Sequence, residues 1–260
     1  MTNAIKINAN RVNVSPAISK SNPSGGYILE IDKFSKGEFF HIETAIKHIW
    51  FSCSDPDEDL DETINRDAQT VLAKMAADVQ MAEDALYSGD FMNPETGYRK
   101  YLDVDSFIDW RLANEIAKNY EIRLLNGQYM YYDPDKKKFC MGLLWDHDSS
   151  FGNSSSYGSD TTSGFMVDKN TTHASDWAHG YEWRHVRVGK IKDRWNEIKP
   201  GLLSSLLTYV DERSTSVREA QLLDIKRWNR GIDQSVSVFS LKTWLTNRIA
   251  WLDEAINALQ

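Results

Sequence analysis

Residues 138–153 read Lys138-Phe139-Cys140-Met141-Gly142-Leu143-Leu144-Trp145-Asp146-His147-Asp148-Ser149-Ser150-Phe151-Gly152-Asn153: an apolar run delivers two carboxylates and then gives way to small polar residues. Lys138 to Trp145 reads as a strand. Its neighbour is Gln128 to Tyr132, and Asp133-Pro134-Asp135-Lys136-Lys137 between them is turn chemistry. The two runs predict a β-hairpin. Asp146 and Asp148 then stand at the end of a buried strand, where a carboxylate is costly unless a cation or a donor meets it. Oxygen ligands of this kind suit a hard divalent cation on a phosphate-bearing substrate. In an alternating strand His147 points away from both acids, which places it in core or surface rather than among ligands. The segment Ser149–Gly164, dense in Ser, Gly, Thr and Asn, predicts a mobile loop.

Outward from the hairpin, Gly26 to Asp32 reads as a strand after a Gly-Gly start. Phe39 to Ser52 carries two readings. Its aromatic and β-branched content favours one or two strands, whereas Glu43 and Lys47 stand four apart, the spacing of a helical pair. Glu58 to Ser88 predicts a long helix with Leu60, Ile64, Ala68, Val71, Leu72, Met75, Val79, Met81 and Leu86 on its apolar stripe. A second helix follows Tyr101-Leu102-Asp103-Val104-Asp105, with Ser106 and Asp109 spaced as a capping box and Ile108, Leu112 and Ile116 on one face. Glu182–Ile198, a run opening at Leu202, and a last stripe from Leu241 to Leu259 add three more helices. The expected fold is α+β and predominantly helical, with a small N-terminal β portion. Residues 1–24 form an extended lead-in and residues 25–260 one domain.

Composition narrows the chemistry. Hydrophobic residues make up 41% and charged residues 26%, as in ordinary globular domains. The net charge of −8 and pI near 5.3 argue against a nucleic-acid partner, whose phosphates call for a basic face. Cys53 and Cys140 make no disulfide framework, and the absence of C-x-x-C argues against structural zinc. No apolar run is long enough to span a membrane, and the N-terminus has no signal-peptide h-region. Nine Trp and eleven Tyr supply core, and such an excess also suits stacking on sugars or nucleotides.

Several motifs in order resemble the CotH kinase family, the spore-coat-protein-H-like atypical kinases. Gly26-Tyr27-Ile28-Leu29-Glu30-Ile31-Asp32 is similar to that family's first strand. Tyr101 to Trp110 resembles its Y-x-D-x-x-S-F-x-D helix start. Gly142-Leu143-Leu144-Trp145-Asp146-His147-Asp148 resembles its GP-x-WD-x-D signature, with Leu143 in place of Pro. Arg194-Trp195, Arg227-Trp228 and Arg248-Ile249-Ala250-Trp251-Leu252 resemble its helical tail. The resemblance implies the catalytic lobe of an atypical protein kinase that uses ATP with Mg²⁺ or Mn²⁺ to phosphorylate Ser or Thr of a protein substrate. The family includes spore-coat and surface-associated members, which leaves the location open.

By the same resemblance Asp146 takes the metal-binding role that other kinases give to the Asp of D-F-G. Asp148 is a second metal ligand or an orienter of the loop. Glu121 lies where the family usually has the Asp that accepts the substrate hydroxyl proton; Glu keeps the acid and adds a methylene. Asn126, five residues later, matches the kinase spacing for a second metal contact, and Asn126-Gly127 is also an ordinary turn dipeptide. Glu30 is either an exposed strand residue or a partner for a nucleotide-positioning Lys. His173, His179 and His185 recur every six residues, which is no ligand spacing. Neither G-x-x-x-x-G-K-[ST] nor G-x-G-x-x-G occurs, so the expectation is a shortened member or a fragment with a reduced phosphate grip. Two other classes stay open: a non-catalytic pseudokinase or interaction module, and a glycan-active protein using Asp146 and Asp148 as a carboxylate pair on one strand face.

Overall fold

The computed structural model describes residues 24–31, 41–55, 66–123, 127–166, 181–229 and 234–259. Five strands form one antiparallel sheet: β1 (Tyr27–Ile31), β2 (His41–Glu43), β3 (Trp50–Asp55), β4 (Gln128–Asp133) and β5 (Lys138–Met141). Their order is β2-β3-β1-β4-β5. The first strand therefore lies at the centre, pairing with β3 on one side and β4 on the other. Tyr27, Leu29 and Ile31 alternate into the core, and Ile28 on the opposite face is buried as well, as suits a central strand.

The double reading of Phe39–Ser52 resolves to strands. Residues 45–47 make a turn whose three amides are held from a helix: Gln80 accepts from Ala45 N, and Glu83 accepts from Ile46 N and Lys47 N. Glu83 is fully buried there. That helix, α1 (Arg66–Tyr87), buries Val71, Met75, Val79, Ala82 and Leu86, one stripe at helical spacing. Met81, expected in the stripe, lies off it and is 45% exposed. The proposed start of this helix, with Leu60 and Ile64, lies outside the described residues, as do residues 1–23 and His173 and His179.

Helix α2 (Val104–Ala117) carries the centre of the molecule. The expected Ser106/Asp109 capping box is not the cap. Asp103 is, accepting from Ser106 N, and a cap of this kind stabilises a helix by about 1 kcal/mol. Ser106 Oγ donates to Asp103 O and accepts from Met141 N, which fastens the start of the helix to β5. Asp109 instead forms a forked ion pair with Arg194 at 2.6 and 3.0 Å. Phe107, Ile108, Leu112 and Ile116 are buried, as their spacing predicts.

Three more helices complete the fold: α3 (Tyr181–Ile198), α4 (Leu202–Trp228) and α5 (Gln234–Asn257). Helix α2 packs on β5, α3 and α5, while α4 packs on α5. Trp195, Ile249, Leu252 and Ile256 belong to their shared core. Leu202, Leu203 and Leu206 touch that core, yet no residue of α4 is buried. Farther along the α4–α5 hairpin, Leu222, Leu223 and Phe239 are 58%, 67% and 72% exposed. No described helix is long and apolar enough to cross a membrane.

Candidate active site

Strand β5 ends at Met141, four residues before the expected limit. Leu143 and Asp146 take left-handed φ values of 64° and 52°, so the chain leaves the sheet as an irregular turn. Asp146 and Asp148 are therefore not at the end of a buried strand. Both are exposed, and the strand-face geometry behind the glycosidase-like pairing is absent. Water solvates these acids, which removes the burial cost that first pointed to a cation.

Proximity supplies a better reason. Glu121 opens a 3₁₀ turn (Glu121–Arg123) just beyond α2 and is half-buried. Asn119 Oδ1 accepts from Glu121 N at 3.0 Å, and Asn119 is itself anchored on Asn114. One carboxylate oxygen each from Glu121, Asp146 and Asp148 lies within 4.8 Å of the others, the one such cluster among the described residues. Two ligands on one Mg²⁺ stand at most about 4.2 Å apart, twice its metal–oxygen distance of about 2.1 Å. The 4.8 Å limit of the cluster is somewhat wider than that span; its all-oxygen chemistry suits a hard divalent cation held by Asp146 and Asp148, with Glu121 beside them.

Partial burial raises the Glu121 pKa, and the neighbouring Asp146 and Asp148 raise it further. The folded state thus holds this proton more tightly than the unfolded chain does. The resulting stabilisation is complete below the ordinary value of 4.5 and is lost as pH rises through the raised one. Without metal, wild-type stability should fall more over that interval than that of Glu121→Gln. Equal pH profiles in equilibrium melts would show that the three carboxylates do not sense one another.

The residues around the triad are fixed from several directions. His147 gives no atom to the cluster; it is half-buried, and burial lowers its pKa, which keeps the ring neutral. It sits on no strand, so the alternation that assigned its direction does not apply. Trp145 is 59% exposed beside the acids and meets Tyr129 edge-on at 5.7 Å. Gly127, at φ +68°, lies beneath the indole, where an added Cβ would stand 3.2 Å from Trp145 Cδ1. Glu30 is neither exposed nor bound to a lysine in the described contacts: it is half-buried and accepts from Gly127 N at 3.1 Å. Asn126 lies outside the described residues.

The segment Ser149–Gly164 corrects the mobile-loop expectation. Phe151 N donates to Ala117 O, and Trp244 Nε1 donates to Asp160 O. Gly152, at φ +81°, leaves room for Trp244, whose ring an added Cβ would meet at 2.6 Å. Lys118 and Arg248 bind the rest of the segment from inside the protein. Sequence reasoning missed both cations. One lies at a polar helix end and the other in a helical tail, and no local pattern marks a lysine or arginine as buried.

A family comparison bears on these residues. The model of the CotH kinase protein family matches residues 18–252. The chain belongs to the CotH kinase protein family. No curated protein and no solved structure matches the chain. Leu143, just before the acids, takes a left-handed backbone. Its φ of 64° is one that a proline ring, fixed near −65°, does not reach.

Proposed function

We propose that this CotH family member transfers the γ-phosphoryl group of ATP to a Ser or Thr hydroxyl of a protein substrate. The observation that carries the reading is the convergence of Glu121, Asp146 and Asp148 within 4.8 Å of one another. Asp146 and Asp148 hold a divalent cation, Mg²⁺ or Mn²⁺, which neutralises phosphate charge when bound. Glu121 accepts the proton of the attacking hydroxyl as that oxygen bonds to the γ-phosphorus and the bond to the bridging oxygen of ADP breaks. Its raised pKa suits a base that must also release the proton. Asn126 is assigned a second contact to the metal–nucleotide complex on spacing alone. The reading takes residues 25–260 as one domain that works as an atypical kinase lobe, in a protein associated with a spore coat or cell surface.

Glu121 in place of Asp favours a second reading, a module that binds nucleotide without turnover. A reach longer by one methylene shifts the base by about 1 Å, enough to cost about 10²-fold in rate when geometry is strict. Melting experiments with and without Mg-ATP test what the two readings share. At 100 times its Kd, a ligand of the native state adds about 2.7 kcal/mol, or roughly 5–10 °C in a domain of this size. No shift at millimolar Mg-ATP would defeat both. A shift without transfer from γ-labelled ATP would select the second.

A further inference from the structure

The carbonyls of Gly158 and of residues 160–164 meet side chains from α2 and α5. Lys118, fully buried at the left-handed end of α2, donates from Nζ to Gly158 O at 2.7 Å, Thr161 O at 2.8 Å, Ser163 O at 2.6 Å and Thr161 Oγ1 at 2.5 Å. Arg248, equally buried on α5, donates to Thr162 O at 3.0 Å and Gly164 O at 2.9 Å. Trp244 takes Asp160 O. A stretch with no ladder of its own thus satisfies its main chain on side chains of α2 and α5.

Ala117, Lys118 and Asn119 are consecutive. Ala117 O holds the turn after the two aspartates through Phe151 N at 2.8 Å. Lys118 holds the segment beyond that turn. Asn119 holds Glu121 N. Both sides of the acidic triad therefore hang from three adjacent residues at one helix end.

We propose that Lys118 is the positioning residue of the acidic triad, a resident cation around which residues 158–163 are wound so that Asp146 and Asp148 keep their place against Glu121. This rests on the metal-binding reading above. An ammonium has three donors and no acceptor, so its three N–H groups are shared among these four oxygens, which a neutral side chain of the same length does not satisfy. Without the cation, the oxygens of Gly158, Thr161 and Ser163 lose their shared donor and turn to water. The segment then loosens, and with it the turn bearing the aspartates.

Calorimetric titration of the full chain with Mn²⁺ alone tests the proposal. Lys118→Met should weaken Mn²⁺ binding by about ten-fold or more, the usual scale for losing a residue that orients metal ligands. Lys118→Ala should lose as much and recover with added propylammonium, which replaces the missing atoms, but not with propanol. A merely structural lysine would lower the melting temperature and leave the Mn²⁺ affinity of the folded protein at the wild-type value; that result overturns the proposal. Should both variants fail to fold, Thr161→Val keeps the lysine and removes only the Thr161 hydroxyl, which accepts from Lys118 and donates to Gly158 O at 2.9 Å. A smaller loss of affinity there supports the role, and unchanged affinity overturns it. Wild-type protein that binds Mn²⁺ without transferring phosphate defeats the kinase reading and leaves this measurement standing. Wild-type protein that binds no Mn²⁺ overturns both.

Discussion

Asp146→Asn should lower Mg²⁺-dependent phosphoryl transfer by about 10³-fold while leaving the melting temperature nearly unchanged. The size follows from what a metal ligand does in this chemistry: ions that neutralise developing phosphate charge contribute several kcal/mol, and each 1.36 kcal/mol is a factor of ten in rate. The small structural effect follows from exposure. Asp146 sits at the surface of its turn, so its substitution opens no cavity. Asn is the better choice because Asp146 has φ 52°, a conformation that Asn tolerates and Ala does not. The same change should weaken Mn²⁺ binding in the absence of nucleotide. Transfer from γ-labelled ATP at the wild-type rate would remove Asp146 from the site.

The largest effect on stability is expected at Arg248. This guanidinium is fully buried, and its NH2 group lies 3.0 Å from Glu115 Oε2, which is 2% exposed on its side chain. Burial pushes its pKa down to about 10, while Glu115 opposes the shift, so the side chain stays charged at neutral pH. Besides Thr162 O and Gly164 O, it donates to Glu115 O. Glu115 in turn accepts from Met166 N through both oxygens. Arg248→Met leaves that carboxylate buried without its cation, which costs about 3–5 kcal/mol. Thermal melts should fall by roughly 6–20 °C for a domain of this length. Adding Glu115→Gln should recover part of the loss, since it removes the stranded charge. A drop below about 1 kcal/mol would mean that water reaches Glu115 in the variant and solvates it.

Much of this architecture was legible in the residue pattern. The stripe Val71-Met75-Val79-Leu86 and the face Ile108-Leu112-Ile116 announce helices, because burial on one side imposes a 3.6-residue period. The turn chemistry of residues 133–137 announces the β4–β5 hairpin. The pattern misled where two signals shared residues. Met141 to Trp145 is apolar enough for a strand, but Leu143 and Asp146 have positive φ, and the chain leaves the sheet early. The four-residue spacing of Glu43 and Lys47 is helical by coincidence, with a turn between two strands. Of the acids, Asp146 and Asp148 are visible as neighbours in sequence, whereas the approach of Glu121 depends on the folded end of α2. The hold on the loop after the acids was invisible. Small polar residues suggest mobility, but their carbonyls carry no sequence signature and here meet buried cations contributed from distant helices.

The long α4–α5 hairpin has a consequence for how the molecule comes apart. With no buried residue in α4, its turns beyond Leu206 depend on α5 and on their own ladders, whereas α2, the sheet and the second half of α5 share one core. Cooperative units in proteins follow such divisions of buried contact. Slow amide exchange should concentrate in β1, α2 and residues 245–256 of α5. The outer turns of the hairpin should exchange through partial openings that leave the carboxylate cluster assembled. Exchange of that pattern would divide the protein into two foldons of unequal strength, with the acidic triad in the stronger one.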